Sequence, residues 1–299
     1  MTADSSENLL AELLGRTSLS SEPGPLEIAC SGGADSSALA LLGAATNRPL
    51  TLHHVDHGLR PSSAAEAEHV AAFADAIGAN FVGHRVEFDD RGNLEESARL
   101  ARRNVLPRNV ATGHTMDDQA ETLLINLLRG TGPSGLGSLA PGPTHPIVML
   151  RRHETHRLCE EMGVDVVVDE SNSDPSIQRN EIRRLLVPLL AEISGRDPIP
   201  LLARLAGIAR EESLLLDELA SLVITDPRDV RDLRDVPAPL AARALRRWIT
   251  DERSTDGLAH PPTSAEIGRV MAVVRGEVRS TELSGGHRLL RTEGRLRIE

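Results

Sequence analysis

Seven residues near the start of the chain, Ser31-Gly32-Gly33-Ala34-Asp35-Ser36-Ser37, combine glycines, hydroxyls and one carboxylate directly after an apolar run. Glycines let a backbone approach phosphate oxygens, while consecutive N–H groups and the dipole of a following helix cradle an anion to which the serines can donate. Asp35 cannot welcome a phosphate directly, so it reads as the holder of a Mg2+ ion that bridges phosphate oxygens. The Gly-Lys-Ser/Thr ending of a Walker loop is absent. A second group, His53, His54, Asp56 and His57, has metal-ligand chemistry, but neighbouring strand residues point to opposite faces and cannot all reach one ion. A third group is His114 with Asp117, Asp118 and Glu121. A histidine at a strand end can meet a nucleotide or a proton in transit. Carboxylates that open a helix are favoured by its dipole, so at least one of the three reads as a cap.

The elements that must position these groups alternate. Residues 26–30, 51–55, 81–88 and 110–112 read as short buried strands, and residues 38–45, 62–77, 94–106 and 117–128 as helices. Such alternation predicts a Rossmann-like α/β fold, a parallel sheet with helices on both faces and ligands at the carboxyl ends of the strands. Residues 130–146, rich in glycine and proline, are too long for a simple connector and read as a substrate loop. Helices are expected over 152–162 and 178–193, a polar loop over 169–176, and a boundary over 194–200. Residues 201–250 read as mainly helical, and 282–298 as a terminal hairpin about Thr292 to Gly294. The predicted domains are 1–195, carrying the nucleotide loop, and 196–299, mainly helical.

At 299 residues and 40% hydrophobic content the chain can bury sizeable cores. It shows no apolar run long enough to span a bilayer and no secretory leader, so no membrane and a cytoplasmic location are expected. Cys30 and Cys159 are the only cysteines and have no Cys-x-x-Cys spacing. The net charge of −11 argues against holding nucleic acid by bulk electrostatics. Yet all 33 basic residues are arginines, several of them clustered: Arg99, Arg102, Arg103; Arg151, Arg152, Arg157; Arg179, Arg183, Arg184; Arg243, Arg246, Arg247. Arginine is the better bidentate phosphate ligand.

Stretch 31–36 resembles the pyrophosphate loop of the ATP-pyrophosphatase group, whose members split ATP between its α and β phosphates. Within that group the chain is similar to the tRNA(Ile)-lysidine synthases. His54-Val55-Asp56-His57-Gly58-Leu59-Arg60 resembles their H-x-D-H-x-L-R stretch, and Gly113-His114-Thr115-Met116-Asp117-Asp118-Gln119-Ala120-Glu121-Thr122 their G-H-x-x-D-D-Q-x-E-T, continued by Arg129-Gly130-Thr131-Gly132. Asp169-Glu170-Ser171-Asn172-Ser173-Asp174 with Arg179-Asn180-Glu181-Ile182-Arg183 resembles a D-x-S-N-x-D, R-N-x-I-R element, and Glu96-Ser97-Ala98-Arg99 an E-x-x-A-R.

The resemblance covers most of residues 26–190. It implies an adenine nucleotide α-hydrolase-like fold with ATP and Mg2+ as cofactors, and ligation of free lysine to the wobble cytidine of a CAU-anticodon isoleucine tRNA. It implies Asp35, His114, Asp117 and Asp118 as catalytic, and Ser31, Gly32, Gly33, Ala34, Asp35, Ser36, His54, Asp56 and Arg99 as nucleotide-binding. Asp118, Glu121, Arg129, Arg179 and Arg183 would meet lysine or tRNA, since an ammonium wants a carboxylate pair. Family members often carry a further C-terminal domain, and this chain reads as a short form. A homodimer is left open.

The chain departs from the family pattern in places. The family's R-P-L-L appears as His145-Pro146-Ile147-Val148, with Arg152 and Glu154 at the later spacing, and Asn104 replaces an aromatic. With Phe73, Phe81, Phe88 and Trp248 as the only aromatics, base stacking must rely on arginine, histidine or Trp248. A tRNA thiolase on the same loop would need cysteines to carry sulfur. A small-molecule ligase such as NAD synthetase would not require the arginine-rich C-terminal region, and a binding module would turn over no ATP.

Overall fold

The structure, a computed structural model, describes residues 3–19, 24–56, 63–86, 104–167, 177–253 and 261–299. The expectations for His57, Gly58, Leu59, Arg60, Phe88, Arg99, Arg102, Arg103, and the stretch Asp169 to Asp174 lie outside them, as does most of the helix expected over 94–106.

The chain divides into two compact units, Met1–Arg210 and Glu211–Glu299. In the first, β1 (Leu26–Ala29), β2 (Leu50–Asp56), β3 (Asn80–Arg85) and β4 (Ala111–Thr112) form a parallel sheet ordered β3-β2-β1-β4. Register pairs Leu26 with Leu50, Thr51 with Asn80, and Ile28 with Ala111. The chain crosses from β1 to β2 through α2 (Ala34–Ala44) and from β2 to β3 through α3 (Ser63–Ala76). It then reverses to reach β4 on the far side of β1. This reversal lies between β1 and β4, the place where a parallel sheet opens a crevice at its carboxyl edge.

α2 is apolar nearly all round, with Ala38, Leu39, Ala40 and Leu42 fully buried, because it lies between the sheet and α6 (Arg152–Glu161). Leu13, Ile28, Leu39, Leu42, Leu52, Leu150 and Leu158 make the centre of this core. α1 (Ala3–Leu14), which the sequence reading left unassigned, packs on α2 and α6 and contributes Leu9 and Leu13. β4 leads into α4 (Met116–Leu128), and the loop after it holds a short helix, α5 (Pro133–Leu136).

α7 (Gln178–Glu181) runs through a π turn (Ile182–Leu186) into α8 (Val187–Ser194), which stops at Gly195 in the left-handed region. α9 (Ile199–Val223) follows. The domain boundary expected at 195/196 falls earlier than the division of the units, which cuts α9 between Arg210 and Glu211. The reason is packing: Leu202 and Ala206 on the first turns of α9 join Leu123, Leu124 and Ile182 in a second cluster of the first unit.

The second unit holds the rest of α9, α10 (Val230–Arg234), α11 (Ala238–Arg253), α12 (Ser264–Arg275) and an antiparallel sheet of β5 (Ser280–Glu282), β6 (Arg288–Thr292) and β7 (Arg295–Ile298). The expected hairpin is β6–β7. Its turn puts Glu293 and Gly294 at positive φ. β5 and α12 were not expected, and they close the core of Leu245, Ile249, Val270, Val273, Leu289 and Leu296.

Candidate active site

The nucleotide loop hangs between β1 and α2. Ser36 Oγ donates to the Gly33 carbonyl at 3.0 Å and accepts from the Ser31 N–H at 3.2 Å, so this hydroxyl folds the loop back on the first turn of α2. Gly32 has φ +83°, and a Cβ there would lie 2.8 Å from Val167 Cγ2. Glycine is required on both counts. Gly33 caps α2 in extended conformation with no side chain bonded to the helix's first N–H groups. Those donors face outward from the head of a helix, where an anion is stabilised.

The loop after β4 presses on this turn. A Cβ on Gly113 would stand 2.8 Å from the Asp35 carbonyl carbon and 2.8 Å from the Ser36 nitrogen, both backbone atoms. Gly113→Ala is therefore expected to cost about 1–3 kcal/mol, as overpacking does, and to lower ATP turnover with it. Urea unfolding and pyrophosphate release read the two effects, and a variant matching the parent in both would show that the loops can part freely.

Asp35 sits on the first turn of α2 with Thr155 Oγ1 donating to Oδ1 and Arg152 Nε 3.6 Å from Oδ2. Burial pushes its pKa up; the Thr155 hydrogen bond opposes this, and the nearby Asp118 charge adds to it. Asp118, Glu121 and Arg152 complete the centre. Arg152 Nη2 lies 2.9 Å from Asp118 Oδ1 and Nη1 3.0 Å from Glu121 Oε1. Arg183 grips Glu121 with two nitrogens, at 2.8 and 3.1 Å, while Arg179 Nη1 and Arg183 Nη2 stand 3.6 and 3.8 Å from Asp118 Oδ1. Burial works against the Asp118 carboxylate. Arg152 and the Thr115 N–H, at 2.8 Å, outweigh it and hold the pKa below the usual range. Asp118 thus caps α4 with one oxygen and meets arginine with the other. Arg183 stands in the π turn, a helical irregularity frequent at functional sites.

The other expected residues distribute as follows. Asp117 turns to Arg151 Nε, at 3.1 Å, and to the Arg152 N–H, at 2.9 Å, which fastens α4 to the head of α6. His114 Nδ1 is 2.7 Å from Thr112 Oγ1, and its ring meets His145 edge-on at 5.0 Å. His54 is buried and donates from Nδ1 to the Cys30 carbonyl at 3.0 Å, while His53 turns the other way, to Glu27 and to His84 at 2.9 Å. Asp56 ends β2, half-buried, and its carbonyl accepts from the Val86 N–H. No group of three side chains among the described residues could hold a metal by itself. Arg129 is exposed at the far end of α4. Eight residues beyond Glu121, it stands about 12 Å along the helix from the cluster. Trp248 is packed in the core of the second unit, so it offers no stacking face. Arg243 is engaged with Asp217 and Ser213.

Residues 4–190 match the model of the PP-loop domain. The chain is 39% identical over 237 residues to a tRNA(Ile)-lysidine synthase of Mycolicibacterium paratuberculosis, covering 74% of this chain and 73% of that one. It is 35% identical over 305 residues to one of Salinispora tropica, covering 92% and 90%. The chain belongs to the tRNA(Ile)-lysidine synthase family. Its backbone is also similar to that of a U34-tRNA thiolase from Methanococcus maripaludis, with a TM-score of 0.56 at 18% identity over 70% of this chain and 78% of that one. This likeness concerns the fold.

For a lysidine synthase family member the residues that sequence reasoning left out of the site are Arg152 and Thr155, both on the first turn and a half of α6. A signal existed. Arg151 and Arg152 stand at a helix N-terminus, where the dipole disfavours cations, so something other than helix formation must hold them there.

Proposed function

We propose that this protein ligates free lysine to C2 of the wobble cytidine of the CAU-anticodon isoleucine tRNA, using ATP and forming lysidine, which switches codon reading from AUG to AUA. The observation that carries this reading is the sharing of one guanidinium, Arg152, between the carboxylate of the nucleotide loop and the two carboxylates of α4. Chemistry at phosphate and chemistry at an amine are thereby adjacent.

The C2 carbonyl oxygen attacks the α phosphate of ATP and pyrophosphate leaves; the neutral amine then displaces AMP. The outward N–H groups at the head of α2 are where charge on phosphate oxygens is stabilised. Asp35 suits Mg2+, being a hard oxygen donor whose buried charge is offset by the Thr155 hydrogen bond, by Arg152 at 3.6 Å and by His156. When bound, the ion would supply positive charge to the phosphate oxygens. Asp118 and Glu121 receive the amine, and His114 stands at the strand end beside them. Asp117 acts as a positioning residue through Arg151 and α6. Arg179 and Arg183 steer anionic groups of tRNA or lysine, and Arg129 meets tRNA at the periphery.

Neither thiol suits sulfur transfer: burial pushes the Cys30 pKa up, and burial with the Asp35 charge takes Cys159 up to about 12. No helix among the described residues is long and apolar enough to cross a membrane, and the reaction places the protein with cytoplasmic tRNA. A homodimer is part of the same reading, supported by exposed Leu215, Leu219 and Leu222, which share one face of α9 in the second unit. Sedimentation at monomer mass would remove it. The reaction is tested by incubating the protein with unmodified CAU-anticodon tRNA, Mg-ATP and labelled lysine: label on tRNA and AMP in equal amounts support it, and AMP without transfer of label overturns it.

A further inference from the structure

The chain contains no lysine at all, so apart from its N-terminus it carries no aliphatic amine. In the site, the two oxygens best placed to take an ammonium, Asp118 Oδ1 and Glu121 Oε1, are bridged by the two terminal nitrogens of one side chain, Arg152. A guanidinium stays protonated at any physiological pH and its nitrogen electrons are delocalised, whereas an ammonium of similar reach loses a proton and becomes a nucleophile. Glu121 is 1% exposed and Asp118 11%; Arg183 also bonds Glu121, but Arg152 is the side chain that spans both oxygens, and removing it would leave the pair's charge less compensated away from water.

We propose that Arg152 is a specificity-determining residue that stands in for the acceptor amine: it occupies the carboxylate pair with a cation unable to attack, and yields the pair to free lysine. The inference rests on the lysidine-forming reading. It makes the absence of a side-chain amine at this position a condition for fidelity, because an amine tethered here would itself react with the activated cytidine.

Arg152→Lys creates that amine. Its Nζ passes one proton to Asp118 or Glu121 and attacks C2 of the adenylated base. A C–N bond forms, the C2–O bond breaks, AMP leaves with the oxygen and the bonding pair, and the nitrogen sheds a second proton to water. No further reactant is needed.

The test uses the full chain, untagged, with unmodified CAU-anticodon tRNA and Mg-ATP and without lysine, read by denaturing gel and by mass spectrometry of the crosslinked peptide. Arg152→Lys is expected to yield a protein–tRNA conjugate through residue 152 with one AMP per conjugate, suppressed by added lysine. The parent chain and Arg157→Lys, on the exposed side of the same helix where Arg157 pairs with Glu161, are expected to yield none. Pyrophosphate release by Arg152→Lys without a conjugate overturns the inference. No pyrophosphate release by the parent overturns the lysidine-forming reading instead. Should Arg152→Lys alone be inactive, Arg152→Ala decides by equilibrium binding of labelled lysine: severalfold tighter binding than the parent supports the stand-in role, and weaker binding refutes it.

Discussion

Asp35→Asn should lower tRNA-dependent pyrophosphate release by about 10²–10³-fold, the usual consequence of removing one preorganised electrostatic contact to a developing charge, while leaving the fold intact. The fold should survive because an Asn oxygen still accepts from Thr155, and because Arg152 keeps its closer partners, Asp118 and Glu121. The same carboxylate sets an expected pH dependence. Asp35 must be ionised to hold a cation, and burial raises its pKa. Activity should therefore fall on the acid side at a pH above the ordinary value of 3.8 for such a group, and this limb should vanish in the Asn variant. An Asn variant within threefold of the parent would remove Asp35 from the chemistry.

Glu121→Gln has the largest expected effect on stability. The carboxylate is 1% exposed and accepts from Arg152 at 3.0 Å and twice from Arg183. The amide keeps the shape and removes the charge, leaving two guanidinium groups short of a partner in a site mostly closed to water. Breaking a buried pair from one side typically costs 3–5 kcal/mol. Arg183 is partly open to solvent and can hydrate, so about 3 kcal/mol is expected, read from urea unfolding of the full chain by far-UV dichroism. A loss below about 1 kcal/mol would mean that the cluster behaves as a surface network. Any effect on lysine transfer should then be judged at a urea-free temperature well below the variant's transition.

Much of this was legible in the sequence because it is local. The loop between β1 and α2, the caps that open α4 and the β6–β7 turn each depend on residues within a few positions of one another, and glycine, proline and helix-opening acids mark them directly. What was not legible joins distant segments. Arg152 meets Asp118 and Glu121 across 34 and 31 residues and Thr155 meets Asp35 across 120, distances over which no periodicity speaks. The division of the two units differs from the expected boundary for a related reason: Gly195 ends α8, as its type suggests, but the first turns of α9 still pack with the first unit. Of the three side-chain types that sequence offered for base stacking, Trp248 is withdrawn by a tertiary contact: it packs with Leu245 and Ile249 in the same core.

The contact at Gly113 bears on how the site can move. Where side chains separate two loops, a change of rotamer gives each some play; here backbone rests on backbone, with no cushion between residue 113 and residues 35–36. The nucleotide loop and the start of the His114 segment are then a single stiff strut, so a shift of either is carried directly into the other.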